Sequence, residues 1–565
     1  MQQSFEPGVA ADGPAGQRAH PDLIEHTARL ERRFYTLGEH AWSLVGNGLS
    51  NQTFVEGPEG IIAIDTGECV EEMRAALVEL RRVTDKPVVA CLYTHFHYVN
   101  GTRALLEDGA ATTLPIISHV GVPGNLRRFG GEVGPRYARG LVHQFGVVLP
   151  DSGEDGLVNV GLGLHFRSPD HAPYTPGYLP PTTTFEERLE VELAGLRVEL
   201  THAPSDADDS VTIWFPELGL AVNNLLWPAL FNVFAIRGEE YRDPRILLTG
   251  LDHLRALGAQ SLAGAHGAPL TSATEIDAAL LDYRDAIQFL WDQTVRGANN
   301  GLNADEIATT VNLPGRFRRT HFTRQFYGLV EHHVRQIYAG LFGWFDEDDA
   351  HLFPLPPAER AARLIEGFGG AEAVRAQVDT ALAAADLRWA LELASWLVRV
   401  GPANEADCGR LAAALRQIAQ STTSSNVRNW CVTRARTLEG QLDVARFRGH
   451  RIRVGEVLAA EPGTYVQVLR VMLDPERAAA VDTRVAWVFE DGVRAGLHVR
   501  GGVAVPFEEG EADVALHLSL ATWAQIAGGK QSLTAAEESG LVRIEGDRQQ
   551  LMLALQCFDH PSLGR

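Results

Sequence analysis

The stretch Tyr93-Thr94-His95-Phe96-His97-Tyr98-Val99-Asn100-Gly101 decides how this chain is read. It leaves a short apolar run, Val88 to Leu92, of the kind that forms a strand covered on both faces. Two histidines at i and i+2 on a loop leaving such a strand can turn their rings toward one point, and imidazole suits zinc and iron. Such a pair also arises by chance on surface loops. Its position after a buried strand, and further candidate donors at other strand ends, favour a metal site.

Outward from that loop, residues 40–268 are rich in strands with interspersed helices. Gly57-Pro58, Ala194-Gly195 and Pro216-Glu217 each separate two strand-like runs and predict hairpins. Helix-period residues (Met73, Leu77, Leu80) follow the polar strand end Asp65-Thr66-Gly67. Hairpins combined with helical crossovers predict an α/β domain of sheets covered by helices. Residues 101–181, rich in Gly and Pro, read as long loops that shape a pocket.

From Ser272 the pattern turns helical, with Ser272-x-x-Glu275 as a capping box and Asn299-Asn300-Gly301 as a stop. Residues 371–400 read as one long helical arm ending at Gly401-Pro402. Its stripe of Trp389, Leu393, Trp396 and Leu397 reads as internal core, with a dimer interface as the sharper alternative. After about Asp443, alternating residues such as Val485, Trp487 and Phe489 before Asp491-Gly492 announce a separate α+β domain.

Two more loops carry candidate donors. His202-Ala203-Pro204-Ser205-Asp206-Ala207-Asp208-Asp209 sits between two strands, and Ala265-His266-Gly267 follows the run around Leu262. Acidic loops are usually only solvated, and a lone His before Gly is as often structural as functional.

Taken together these loops resemble the metallo-β-lactamase superfamily, specifically its alkylsulfatase branch. The resemblance implies an αββα sandwich, a helical dimerisation domain and a C-terminal α+β domain similar to sterol carrier proteins. On that basis the chain divides into a disordered lead-in (1–20), a metallo-β-lactamase-like domain (21–272), a helical domain (273–440) and a sterol-carrier-like domain (441–565). His95 and His97 match the first two histidines of the family's His-x-His-x-Asp-His motif. Val99 stands where its Asp belongs and Asn100 where its third His belongs. Asp206 and His266 match later ligands, and the bridging carboxylate falls near Asn224. Asp65-Thr66-Gly67 matches a strand end that supports the site. Asn232-Val233-Phe234-Ala235-Ile236-Arg237-Gly238 resembles the segment implied to hold sulfate, and an Arg fork suits a tetrahedral oxyanion.

Val99 cannot ligate an ion, and the amides of Asn100 and Asn224 are poor zinc ligands. The expectation is therefore one divalent metal on His95, His97 and Asp206, with His266 as a further ligand. Zinc comes first and iron is the alternative. Asn100 and Asn224 are candidate catalytic residues, and Asn232, Arg237 and Tyr98 candidate substrate contacts. The expected function is hydrolysis of a sulfate ester or similar ester with an apolar tail. A different metal reaction, oxygen-dependent on iron, and a non-catalytic binding protein are the alternatives.

The 565 residues allow roughly two to four domains, and 45% hydrophobic with 22% charged content is ordinary for a globular protein. Acids outnumber bases by 72 to 50, a net charge of -22 that repels nucleic acid and anionic membranes, so an anionic substrate needs a local basic clamp. Five scattered cysteines without a CxxC argue against a disulfide framework. No apolar run approaches the ~20 residues of a membrane span. A cytoplasmic homodimer is expected.

Overall fold

The computed structural model describes residues 4–108, 113–402 and 404–563. Residues 1–3 of the expected lead-in and 109–112 of the expected loop region lie outside them. The chain forms two compact units, one within Met1–Val122 and Tyr137–Arg446, the other within Pro123–Arg136 and Phe447–Arg565.

In the first unit, seven strands form one sheet: β1 (Arg33–Thr36), β2 (Ala41–Val45), β3 (Gln52–Gly57), β4 (Gly60–Ile64), β5 (Val88–Leu92), β6 (Ile116–His119) and β7 (Thr183–Phe185), in that order. Five more form a second: β8 (Arg188–Leu193), β9 (Leu196–His202), β10 (Val211–Phe215), β11 (Leu220–Asn223) and β12 (Ser261–Gly264). The sheets share one apolar core, with Val55, Ile62, Ile64, Leu92 and Ile117 from the first and Val198, Leu200, Ile213, Phe215 and Val222 from the second. All three predicted hairpins form. At the Ala194-Gly195 turn both residues take positive φ, 53° and 76°, as a two-residue hairpin between right-twisted strands requires.

Helices cover the outer faces. Helix α1 (Val70–Leu80) buries Met73, Ala76, Leu77 and Leu80. On the other side α3 (Pro244–Ala256) packs Leu247, Leu251 and Leu254 with Ala221 and Leu262. This is the expected αββα sandwich.

Several expectations are corrected. The region 101–181 is not all loop: it contains helices at Arg103–Asp108 and Val122–Gly130 and α2 (Gly134–Gln144). Residues 123–136 fall in the second unit, where Arg470 pairs with Glu132. The break expected between residues 272 and 273 is crossed by one core. Tyr283 and Ile287 of α4 (Ala273–Asn299) and Val334 of α5 (Val330–Phe342) pack with Trp227 and Phe231, and Tyr283 donates to the Ala229 carbonyl at 3.0 Å. The arm over 371–400 is two helices, α6 (Ala371–Ala383) and α7 (Leu387–Arg399). Ala385 turns left-handed at φ 54°, and Asp386 caps α7 by accepting from the Trp389 amide. Of the Trp389 stripe, Leu393, Trp396 and Leu397 are buried. The described part of the lead-in is ordered. Ala11–Asp12 pairs with Arg18–Ala19, the Glu6 amide donates to the Ser421 carbonyl, and Ser4 Oγ donates to Glu331 at 2.6 Å.

The second unit is the expected α+β fold. Strands β13 (Asp482–Phe489), β14 (Arg494–Arg500), β15 (Val503–Phe507), β16 (Val514–Leu518) and β17 (Val542–Gly546) form one sheet in the order β15-β14-β13-β16-β17. Trp487 meets Trp523 edge-on at 5.7 Å in its core. Among the described residues no helix is long and apolar enough to cross a membrane.

Glu331 also accepts from Arg388, at 2.9 and 2.6 Å, and from Arg335 at 2.8 Å. Burial alone would raise its carboxyl pKa, but these bonds outweigh it and hold it at about 2, against an ordinary 4.5. A depressed carboxylate pKa stabilises the fold above the unfolded value, and that stability is lost as pH falls through the folded value. The stability gap between the wild type and Glu331→Gln, read by urea unfolding, is therefore expected at about pH 6, on the order of 1–3 kcal/mol. It should shrink steadily below about pH 4.5. A gap independent of pH would contradict this account.

Candidate metal and substrate site

The site forms at the strand ends where the two sheets meet. Parallel pairing sets Ile64 beside Leu92, so Asp65 and the His95 loop emerge together. In the second sheet Asn223 pairs with Gly264, which brings Asn224 and His266 to the corresponding edge. The Val211 amide donates to the Thr94 carbonyl at 2.9 Å and joins the two edges. Gly101 lets the motif loop close on its neighbour, since a Cβ there would lie 1.9 Å from the Thr66 carbonyl oxygen.

His95, His97 and Asp206 offer ligand atoms all within 4.8 Å of one another. His95 Nε2 lies 3.8 Å from Asp206 Oδ1, and His97 Nδ1 lies 3.3 Å from Asp206 Oδ2. A hydrogen bond behind the His95 ring sets its tautomer. Thr94 Oγ1 donates to Asp65 Oδ2 at 2.6 Å and so accepts from His95 Nδ1 at 2.8 Å, which leaves Nε2 as the acceptor, facing Asn224 Nδ2 at 3.4 Å. Asp65, at a left-handed φ of 56°, also accepts from the Thr94 amide at 2.8 Å. Burial pushes its carboxyl up to about 7, against the pull of those Thr94 bonds. His97 Nε2 faces Tyr137 Oη at 3.4 Å and Glu239 Oε1 at 3.8 Å, while its Nδ1 is buried without a hydrogen bond. Two imidazole nitrogens and a carboxylate, one nitrogen orphaned, fit a single divalent ion.

The other expected ligands are arranged differently. His266 Nδ1 donates to the Leu49 carbonyl at 2.9 Å, and its Nε2 accepts from Tyr98 Oη at 3.3 Å. Burial lowers its pKa to about 4, so it is neutral. It lies outside the three-donor cluster. Asn224 Nδ2 donates to Asp206 Oδ1 at 2.6 Å and to Ser205 Oγ at 2.9 Å, while Trp227 Nε1 donates to its Oδ1 at 3.1 Å. A carboxylate could not make the first of these bonds, so Asn224 orients Asp206 where a bridging ligand was expected. Val99 is buried, and the Asn100 backbone is bonded to Gly67 and Gly177.

Beside the donors lies a basic cluster that sequence reading reached only in part. Arg237 is not a bare clamp: its Nε donates to Glu239 Oε1 at 2.9 Å, and its amide donates to Gln144. Arg242 donates through NH1 to the Asn232 carbonyl at 2.6 Å, but its Nε and NH2 are buried without partners. Both polar atoms of the Asn232 side chain and His333 Nε2 are likewise buried and unpartnered. The Phe234 amide donates to His333 Nδ1 at 3.2 Å, so Nε2 carries the proton, and burial lowers the ring's pKa to about 3. Gly328 makes the space: a Cβ there would lie 2.2 Å from Asn232 Oδ1 and 2.8 Å from His333 Nε2. Arg242 and Glu239 are five and two residues past Arg237, near enough to have been considered. His333, on α5, has no such local signal.

The sandwich and its donor set define the class as the metallo-β-lactamase superfamily, whose family model matches residues 45–222. Models described as alkyl sulfatase dimerisation and alkyl sulfatase C-terminal match residues 303–441 and 456–564. A linear primary-alkylsulfatase from Pseudomonas sp. is 34% identical over 522 residues, 89% of this chain and 98% of the relative. An (R)-specific secondary-alkylsulfatase from Pseudomonas sp. is 30% identical over 96% of this chain and 83% of its own length. The solved structure of the stereoselective inverting sec-alkylsulfatase Pisa1 from Pseudomonas sp. superposes with a TM-score of 0.87, at 27% identity over 96% of this chain and 87% of that one. The chain belongs to the alkylsulfatase family of the metallo-β-lactamase superfamily, a fold that implies divalent metal binding.

Protein purified without chelator is expected to carry about one divalent ion per chain by mass spectrometry, and His97→Ala about none. Burial alone would lower the His97 pKa, but the Asp206 charge outweighs it and raises it to about 9 without metal. Ligation requires the neutral ring, so apparent metal affinity should rise as pH is raised toward about 9. Two ions per chain in the wild type would overturn the assignment of Asn224.

Proposed function

We propose that this chain hydrolyses a sulfate ester bearing an apolar tail, with one divalent metal, zinc first, held by His95, His97 and Asp206. The bound ion would supply a water of lowered pKa and a Lewis acid for the ester oxygens. Asp65, through Thr94, holds the His95 tautomer, and Asn224 holds Asp206. His266 and Tyr98, bonded to each other, wall the site. Asn100 has no assigned step.

The observation that carries this reading is the set of buried donors without partners: Arg242 Nε and NH2, Asn232 Nδ2 and His333 Nε2. Each such group costs about 1–3 kcal/mol unless a ligand satisfies it. Several donors around one space suit the oxygens of a tetrahedral oxyanion. Trp227 and Phe231, 4.5 Å apart, and Phe145 under Arg237 supply apolar surface nearby. The alkylsulfatase relatives support the same chemistry. Five free cysteines support a reducing, cytoplasmic setting.

Arg242→Ala is expected to raise KM for a medium-chain alkyl sulfate by about 10–100-fold, the loss of one or two charge-assisted hydrogen bonds. Gly328→Ala should do the same by filling the space between Asn232 and His333. Wild-type KM in both variants would remove this cluster from the substrate site.

We also propose a homodimer through the helical region. Trp344 and Phe353 are 74% and 87% exposed in one chain, an unusual cost for a surface that stays in water. The double variant Trp344→Ser/Phe353→Ser is expected to elute as a monomer in size-exclusion chromatography with light scattering. A dimer that persists would place the interface elsewhere.

A further inference from the structure

The edge of Arg237 best suited to an oxyanion is already occupied. Glu239 Oε1 lies 2.9 Å from Arg237 Nε and 2.8 Å from NH2, the fork with which a guanidinium grips a carboxylate, sulfate or phosphate. The two side chains are only 5% and 3% exposed, so water does little to screen their charges. Glu239 Oε1 is also 3.8 Å from His97 Nε2, which places this carboxylate beside the metal donors and not at a rim. The charge of Arg242 interacts with those of Asp206, Arg237 and Glu239, so all four belong to one electrostatic site. Arg237 is matched by Glu239 and Asp206 faces the histidines, whereas Arg242 retains two donor nitrogens without partners.

We propose that Glu239 sets the charge class of the substrate. By filling the Arg237 fork it leaves Arg242 as the cation offered to the headgroup, which suits a monoanion such as a sulfate monoester and disfavours a dianion of the same shape such as a phosphate monoester. This rests on the sulfate-ester reading above. A sulfate monoester carries one charge at neutral pH, whereas a phosphate monoester approaches two. With a divalent ion and its hydroxide in place, Arg237 and Arg242 set against Asp206 and Glu239 leave one net positive charge, so the second charge of a dianion would lie unmatched beside a buried carboxylate. At an effective dielectric constant of about 20, repulsion at such range amounts to about 1.4 kcal/mol or more, at least about tenfold in affinity.

Non-hydrolysable probes of matched shape test this. Decanesulfonate is a monoanion, and decylphosphonate is a dianion at about pH 9, above the second ionisation of such headgroups. Calorimetric dissociation constants for both are measured on the metal-loaded full chain, as wild type, Glu239→Gln and Glu239→Asp. The glutamine keeps the shape and an acceptor for Arg237 but removes the charge. It is expected to tighten phosphonate binding relative to sulfonate by about tenfold or more. The aspartate keeps the charge and is expected to retain the wild-type ratio, and the melting temperature of each variant checks that it is folded. A phosphonate-to-sulfonate ratio unchanged in Glu239→Gln would overturn the role of Glu239 and leave the sulfate-ester reading standing. If neither amphiphile binds the wild type or Glu239→Gln, the sulfate-ester reading fails and this inference fails with it.

Discussion

Asp206 is ionised inside the protein, where an unpaired carboxylate would be strongly disfavoured. Burial alone would raise its pKa, but His95, His97 and Arg242 hold it well below the ordinary carboxylate value. Much of the site follows from keeping that charge in place. Asn224 donates to one oxygen, the two imidazoles face both, and Thr94 behind His95 fixes which nitrogen that ring presents. The sandwich serves this arrangement by bringing the strand ends of both sheets to one edge.

The same constraint accounts for an amide at Asn224, the position where the bridging carboxylate of a two-metal site was expected. A carboxylate in place of Asn224 would set a second negative charge against Asp206, which only another cation could balance. The amide turns that repulsion into a hydrogen bond, with Trp227 fixing which end is nitrogen. Tyr98 engages the His266 nitrogen that a metal would otherwise use. Charge is thus matched in pairs: Asp206 with the histidines, Glu239 with Arg237. Arg242 stands apart because two of its donor nitrogens have no hydrogen-bond partner, although it lies in the field of Asp206 and Glu239.

Much of this was legible in the chain. The hairpins at Gly57-Pro58 and Ala194-Gly195 were announced by turn chemistry, and β5 by its continuous apolar run. Helix α4 was announced by Ser272, whose hydroxyl accepts from the Glu275 amide. The break at Ala385-Asp386 was masked by the strong helix propensity of the surrounding alanines, which outweighs a single capping Asp on inspection. The Gly- and Pro-rich stretch hid three helices because composition reports average preference, while packing decides individual segments. The order of the lead-in was hidden too, because partners such as Glu331 and Ser421 lie hundreds of residues away.

The amino-acid sequence by itself determined the sandwich class, the His-x-His loop at a buried strand end, Asp206 as a candidate third donor beside it, and the absence of ligand chemistry at Val99, Asn100 and Asn224. These are properties of residue type and local spacing, which a one-dimensional pattern carries. Only the tertiary structure decided that His266 pairs with Tyr98, that Arg237 is matched by Glu239, and that Arg242, Asn232 and His333 converge around Gly328 with donors left open. Those outcomes depend on which side chains from distant segments meet in a space without water, where hydrogen bonds and charges must be satisfied together, and no local stretch of sequence records that balance.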